Sequence, residues 1–166
     1  SGVGNYDITY QGGTLAIDPA ALLITARDQI SVYGQTPDLG TQEFTAGGLV
    51  NGDRVSSVSL STAATAGSNA GHYGIAAADA VGSGLPNYAV SYTPRVLPVD
   101  PASLTVAAND QSMIYGSTPD LGSTSLTVTG LKNGDTVTGA SLLANATAAS
   151  AVGQYAITSA SAAGSG

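Results

Sequence analysis

The feature that most constrains the fold of this chain is an internal repeat with a period of 82 residues. The segment VYGQTPDLG at 32–40 returns as IYGSTPDLG at 114–122. Shifting the sequence by 82 positions aligns its two halves without a gap, and nearly half of the aligned pairs are identical. A fixed period of this kind defines the structural unit of a repeat protein. The sequence therefore predicts two consecutive copies of one unit.

Composition limits what each unit can be. Two units of roughly 80 residues can each bury one small core. Cysteine is absent from the 166 residues, which excludes disulfides and cysteine-based metal sites. Only 9% of the residues are charged, and the net charge is −7. Because such a surface repels polyphosphate and anionic lipid headgroups, neither nucleic acid nor a membrane surface is an expected partner.

The chain also lacks targeting signals. No apolar run approaches the ~20 residues of a membrane-spanning helix, so membrane insertion is not expected. There is no signal peptide and no initiator methionine, since the only methionine is Met113. Low charge with abundant Ser, Thr and Gly is typical of secreted or surface-exposed bacterial proteins. We therefore expect a piece of a longer chain that is secreted or displayed on the bacterial cell surface.

The local patterns favour strands. NYDITY (5–10) and NYAVSY (87–92) alternate apolar and polar residues, which places one face in a core and the other in water. No stretch keeps helical spacing over three turns. Further strands are predicted at five segments and at their counterparts 82 positions later: 14–17, 22–26, 29–33, 54–60 and 72–76. Asp-Pro, Thr-Pro-Asp-Leu-Gly and Asn-Gly-Asp turns separate them. The fold class predicted is all-β, as a sandwich or a similarly small β-rich module.

The order of motifs within each repeat resembles the MBG domain of the YGX type. The resemblance covers essentially the whole chain and implies a spacer or stalk module without catalytic residues. Such modules occur in tandem in very large bacterial surface and secreted proteins, often ones similar to filamentous haemagglutinin adhesins. We accordingly expect tandem immunoglobulin-like β-sandwich modules, with β-grasp-like modules as the alternative. The matching residues are Tyr33-Gly34, Tyr115-Gly116, Gly48-Leu49, Asn51-Gly52-Asp53, Gly130-Leu131, Asn133-Gly134-Asp135, Gly71, Tyr73, Gly153, Tyr155, Asn87-Tyr88 and Tyr92.

The family pattern also suggests where the modules begin and end. Residues 1–20 are expected to be the closing strands of a preceding repeat, 21–100 a complete module, and 101–166 a second module that lacks its closing strands. An open β-module exposes unpaired backbone donors and acceptors. We therefore expect neighbouring copies of the repeat as partners, either within a longer chain or between chains as a head-to-tail filament formed by strand complementation. A host or matrix ligand is a further possible partner.

No group of residues predicts catalysis. The only histidine, His72, is replaced by Gln154 in the other repeat, and the only glutamate, Glu43, by Ser125. No G-x-S-x-G context surrounds any serine. A Lys–Asn cross-link is excluded in the first repeat, which has no lysine, and is not expected around Lys132. We therefore predict no enzyme, no catalytic residues and no bound cofactor.

Two alternatives stay open for the repeated polar and aromatic residues. Aspartate occupies four equivalent positions in the two repeats, eight residues in all. We expect these aspartates to cap turns, although calcium binding is the alternative. Eight tyrosines recur in register and are expected to pack in the cores, with Tyr33 and Tyr115 closing the core ends. Exposed tyrosines would instead favour a carbohydrate- or protein-binding adhesin module. The residues are Asp18/Asp100, Asp28/Asp110, Asp38/Asp120, Asp53/Asp135, and Tyr6/Tyr88, Tyr10/Tyr92, Tyr33/Tyr115, Tyr73/Tyr155.

Overall fold

The fold is built from β-strands of two to thirteen residues. A computed structural model describes residues 2–166, which contain eleven β-strands, one short 3₁₀ turn at Leu85–Asn87 and no α-helix. The all-β class is therefore confirmed. The first module comprises β1 (Ala20–Ala26), β2 (Ser31–Val32), β3 (Phe44–Gly47), β4 (Arg54–Thr62), β5 (Gly71–Ser83), β6 (Tyr88–Thr93) and β7 (Arg95–Asp100). The second module comprises β8 (Thr105–Ala108), β9 (Leu126–Thr129), β10 (Thr136–Ala144) and β11 (Ile157–Ser165).

Two sheets form the first module. One has the order β3-β1-β6, in which β1 pairs antiparallel with β3 and parallel with β6. The other has the order β2-β7-β5-β4, in which only the β2–β7 pair is parallel. The consecutive strands β6 and β7 thus belong to different sheets. β6 is an edge strand of the first sheet and β7 lies between β2 and β5 in the second; we call these last two strands of the module its closing strands.

The core of the first module lies between these sheets. One cluster of buried residues is Ala26, Leu39, Ala64, Ile75, Leu97 and Val99, and the other is Leu22, Ile24, Val58 and Tyr88. Both clusters take side chains from both sheets, so the sheets pack face to face. Tyr88 of β6 and Leu97 and Val99 of β7 are part of this core, and the closing strands therefore supply buried apolar surface as well as hydrogen bonds.

The second module repeats only part of this arrangement. Its strands β8, β9, β10 and β11 lie 82 positions after residues of β1, β3, β4 and β5. They form two separate antiparallel pairs, β8–β9 and β10–β11. Among residues 2–166, no strand pairs with the edges of β8 and β11 that correspond to the β6 and β7 positions. The second module is open where the first is closed.

A repeated irregularity shows how closely the two backbones agree. The β4–β5 ladder shifts register between Ser57 and Ser59, where Asp79 on β5 has a φ of 48°. The β10–β11 ladder shifts at the corresponding place, where Ser161 has a φ of 49°. One strand carries an extra residue in each case, which is a β-bulge. The backbone conformation is thus kept although the residue type changes.

Several predicted strands are absent. Residues 5–10 and 14–17 form no strand, and every residue from 2 to 19 is exposed. The segment 29–33 contracts to the two residues of β2, and its counterpart 111–115 is not a strand. The prediction that Tyr6 and Tyr10 lie in a core is wrong. A strand needs a neighbouring strand to satisfy its backbone and bury its apolar face, and residues 5–10, 14–17 and 111–115 pair with none in the described part of the chain.

Candidate functional site: the joint and the open module

The polar residues weighed as catalytic or metal-binding candidates are dispersed. His72 and Glu43 are both exposed, on β5 and before β3 respectively. Within the described part of the chain, no three His, Cys, Asp or Glu residues are grouped so that they could hold a metal ion. Among residues 2–166, no helix has the length and apolar character needed to cross a membrane. The residues with specific partners lie elsewhere.

Some of the repeated aspartates do cap turns. The carboxylates of Asp38 and Asp120 accept hydrogen bonds from the backbone N–H groups of Gly40 and Gly122, at 3.1 and 3.3 Å. This is the Asx geometry expected from the sequence. Asp28 is exposed and lies 3.9 Å from the guanidinium of Arg95.

Asp53 has a different role, which the sequence did not reveal. It is partly buried, and its Oδ2 accepts a hydrogen bond from the hydroxyl of Tyr88 at 3.0 Å. The same hydroxyl accepts the backbone N–H of Val50 at 2.9 Å. Because Tyr88 is the first residue of β6, these bonds attach the closing strand to the Asn-Gly-Asp turn. Asp53 thus helps to close the first module.

Asp135, the counterpart of Asp53, bonds across the joint between the modules. Its Oδ2 accepts a hydrogen bond from the hydroxyl of Tyr33 in the first module at 2.9 Å. Two further contacts lie beside this bond. The side-chain amide of Asn133 donates to the backbone carbonyl of Ala66 at 2.8 Å, and the aliphatic stem of Lys132 packs over Gly34. The joint therefore consists of the Asn-Gly-Asp turn of the second module set against the Tyr-Gly turn of the first.

The corresponding face of the second module has no occupant in this structure. Tyr115, the counterpart of Tyr33, is 67% exposed, so the prediction that it closes a core end is wrong. A Cβ added to Gly116 would meet nothing within 4 Å, whereas one added to Gly34 would lie 2.6–2.9 Å from Lys132. Within residues 2–166, the carbonyl of Ala148 accepts one hydrogen bond, from the N–H of Gly116 at 3.2 Å. The backbone of this face is formed, and Tyr115 and Gly116 on it are exposed.

The hydroxyls of the first module's tyrosines all have partners. Tyr73 donates to the carbonyl of Asn69 at 2.9 Å, and Tyr92 accepts the N–H of Ala80 at 3.0 Å. Tyr33 and Tyr88 bond to the two aspartates described above. Tyr33, Tyr73 and Tyr88 belong to the core clusters or pack against them, as expected, whereas Tyr92 is 37% exposed.

A cleft marks the open side of the second module. Its volume is about 310 Å³, and Leu104, Leu131, Val137 and Ala162 are among its lining residues. Their counterparts in the first module are Leu22, Leu49, Val55 and Ala80, which pack around Tyr88 in the second core cluster. Leu22 is fully buried, whereas Leu104 is 46% exposed. The cleft therefore lies where β6 fills the first module.

Residues with the sequence pattern of β6 and β7 are found, exposed, near the start of the chain. Tyr6, Leu15 and Ile17 are 73%, 90% and 90% exposed. Their counterparts Tyr88, Leu97 and Val99 are 7%, 1% and 4% exposed. The same sequence pattern is thus buried in one place and solvated in the other.

Comparison with known families agrees with this repeated architecture. The family model of the MBG domain (YGX type) matches residues 22–97 and, a second time, residues 104–165. The chain belongs to the MBG domain family of the YGX type. No curated protein and no solved structure matches it. The predicted tandem of MBG domains is therefore confirmed. Such repeats indicate a structural module of a surface protein, and the family is not a known enzyme family.

The contacts of these MBG domains were only partly visible in the sequence. The Asn-Gly-Asp motif was predicted to be a turn and is one; the Tyr-Gly motif also lies in a turn, although Tyr33 was predicted to end a strand. That one motif docks on the other across the joint was missed, because Tyr33 and Asp135 are remote in sequence and no local pattern links them. One signal was available: both residue types occur at equivalent positions in the two repeats. Residues that contact one another between successive repeats are expected to recur in this way.

Proposed function

We propose that this chain is a non-enzymatic structural repeat of the stalk or fibre of a bacterial extracellular, adhesin-like surface protein. We further propose that its repeats associate head to tail by strand complementation. The tandem MBG domains support the first part, since repeated modules that contact only their neighbours build an extended array. The low charge and the Ser-, Thr- and Gly-rich composition are consistent with a secreted location.

One observation carries the second part. The second module has a cleft at the β6 position, and residues 5–17 have the β6–β7 sequence pattern with its apolar side chains in water. An unpaired sheet edge beside an unfilled core is a template for a strand from another chain. The occupant we propose is the segment 5–17 of a neighbouring copy.

The first module specifies the register of this insertion. Leu22 pairs with Val90 in the parallel β1–β6 ladder. The counterpart of Leu22 in the second module is Leu104, and the counterpart of Val90 near the start of the chain is Ile8. We therefore expect Ile8 of the neighbour to pair with Leu104. Tyr73 pairs with Leu97 in the antiparallel β5–β7 ladder, which places Leu15 of the neighbour beside Tyr155. Between residues 11 and 16 only Leu15 is the same residue as its counterpart in 93–98, and Asp7 replaces Ala89, which is exposed. A carboxylate is therefore tolerated at that position.

The free-energy terms for and against insertion are of similar size. Burying Tyr6, Leu15 and Ile17 removes three large apolar side chains from water, at about 1.5–3 kcal/mol for each aliphatic one. Two ladders of backbone hydrogen bonds are added. The opposing cost is the ordering of about a dozen residues at ~1–2 kcal/mol each. The balance is close, so association is expected to depend on protein concentration.

Light scattering on a sizing column over a range of concentrations tests this, followed by negative-stain microscopy of any large fraction. The wild-type chain is expected to form growing oligomers or thin filaments. The L15D/I17D variant is expected to stay monomeric, because it would bury two carboxylates in the neighbour's core. G12D/G13D is the matched control: it adds the same charge at positions whose counterparts, Pro94 and Arg95, are exposed.

The opposite results are equally informative. A sharp wild-type peak near 16.2 kDa at all concentrations would contradict strand complementation. Equal assembly of L15D/I17D and wild type would show that association uses another surface. Loss of assembly in both variants would attribute the effect to added charge rather than to the buried positions.

A further inference from the structure

We propose that the far end of the second module is a docking surface for a second copy of this chain. The surface consists of Tyr115, Gly116 and Ala148, and it would bind the Asn-Gly-Asp turn at 51–53 in the neighbour's first module. This inference rests on the proposed head-to-tail assembly and adds a second, separate contact to it.

The template is the joint inside the chain. There, Tyr33 bonds to Asp135, Asn133 bonds to Ala66, and Lys132 packs over Gly34. Every one of these residues except Lys132 is of the same type in the other repeat, where Val50 corresponds to Lys132. The first module therefore shows the surface occupied, and the second shows it empty.

The empty surface already has the conformation of the occupied one. Gly34 and Gly116 have φ angles of 86° and 90°, values that only glycine adopts without strain. Their N–H groups donate to the carbonyls of Ala66 and Ala148 at 3.1 and 3.2 Å. A carbonyl oxygen has two lone pairs. Ala66 uses its second one for Asn133, and Ala148 has an equivalent lone pair for an incoming amide.

The turn that would dock is formed as well. Asn51 and Gly52 have φ angles of 57° and 76°, and Asn133 and Gly134 have 51° and 81°. The N–H of Asp53 donates to the carbonyl of Val50 at 3.0 Å, as that of Asp135 does to Lys132 at 2.8 Å. Two central residues with positive φ define a type I′ turn in both modules. Neither surface has to refold to dock.

The carboxylate of Asp53 can accept hydrogen bonds from Tyr88 of its own module and from Tyr115 of another copy at the same time. A carboxylate accepts about four hydrogen bonds. Tyr88 of the same module uses one site on Asp53. In the docked arrangement Tyr115 of the preceding copy would use another, just as Tyr33 uses Asp135. Each junction between chains would then repeat the joint within a chain, which gives a fibre the same geometry at every step.

Sedimentation velocity on the full chain tests the docking surface, with Tyr115→Phe and Asn51→Gly as the informative variants. Each removes one hydrogen-bonding group and keeps the local backbone conformation. Tyr155→Phe is the matched control, because its hydroxyl donates to Ala151 within its own module. We expect each informative variant to weaken association about tenfold and the control to leave it unchanged.

The possible results separate this inference from the proposed function. Association that L15D/I17D abolishes but that Tyr115→Phe and Asn51→Gly leave unchanged would overturn the docking surface and retain strand complementation. Association that persists in L15D/I17D and is weakened by the two docking variants would support the surface without strand insertion. A wild-type chain that stays monomeric at all concentrations contradicts both.

Discussion

The hydroxyl of Tyr33 and the carboxylate of Asp135 meet at 2.9 Å across the joint between the two modules, although they are 102 positions apart. A bond to an ionised group is stronger than one between neutral groups. Tyr33 is also packed against the first module's core by its ring, so its hydroxyl starts from a fixed position. The orientation of the second module is thereby coupled to the core of the first.

Replacing Tyr33 by Phe should loosen the joint without unfolding either module. The ring keeps its packing, but the hydrogen bond to Asp135 is lost, at about 1–2 kcal/mol. Spin labels at Ser59→Cys and Ser141→Cys, exposed counterparts on β4 and β10, should report a broader distance distribution. Urea unfolding of the first module should change little.

Tyr73→Phe is the control for this experiment, because it removes a hydroxyl whose acceptor, Asn69, lies in the same module. The distribution between the labels should then match that of the unsubstituted chain. An equally narrow distribution in Tyr33→Phe would show that the bond to Asp135 does not hold the joint.

The Tyr88 hydroxyl should contribute strongly to the closure of the first module. Tyr88→Phe deprives both Asp53 and the N–H of Val50 of a partner in a partly buried site, at about 1–3 kcal/mol. Tyr6→Phe, the same change at the exposed counterpart, should alter the free energy of unfolding by less than about 0.5 kcal/mol. Urea denaturation followed by circular dichroism in dilute solution measures both. Equal losses in the two variants would contradict the assigned role of Tyr88.

Leu97 and Leu15 form a second matched pair. Leu97→Ala leaves a cavity in the core and should destabilise the first module by about 2–5 kcal/mol. Leu15→Ala should be nearly neutral for a monomer, because that side chain is solvated. The readout is the urea midpoint at low protein concentration. A large loss for Leu15→Ala there would mean that the segment packs within its own chain.

Hydrogen exchange should distinguish the closed module from the open one. Amides of β8 and β11 should exchange faster than those of β1 and β5, because one edge of each strand is unpaired. A peptide with the sequence of residues 87–100, added in excess, should slow exchange in β8 and β11 only. Its double variant with Asp at the positions of Tyr88 and Leu97 should not. Unchanged exchange with the unmodified peptide would argue against complementation of this edge.

One alternating sequence pattern has two structural outcomes in this chain. NYAVSY forms β6 because β1 lies beside it, and NYDITY forms no strand although its alternation is the same. Strand formation depends on a neighbouring strand and on burial more than on intrinsic preference. The alternation shows that both segments can form a strand. In the structure, only one of the two copies does so.

Turns were predicted better than strands for a physical reason. The Asn-Gly-Asp and Thr-Pro-Asp-Leu-Gly motifs specify their backbone locally, through glycine, Asx side chains and the fixed φ of proline. Their positions agree with the structure in both repeats. The pairing of Tyr33 with Asp135 needs two such turns to meet in space, and no local pattern encodes that meeting.

The sequence by itself determined the 82-residue period, the all-β class, the turn positions and the family, because each is written in local residue patterns and in their repetition. Only the tertiary structure decided that β6 and β7 close two different sheets, that Asp53 and Asp135 serve different tyrosines, and that the second module keeps an open cleft. Those features depend on which surfaces come into contact. Contact between residues far apart in the chain is settled by the packing of the whole fold.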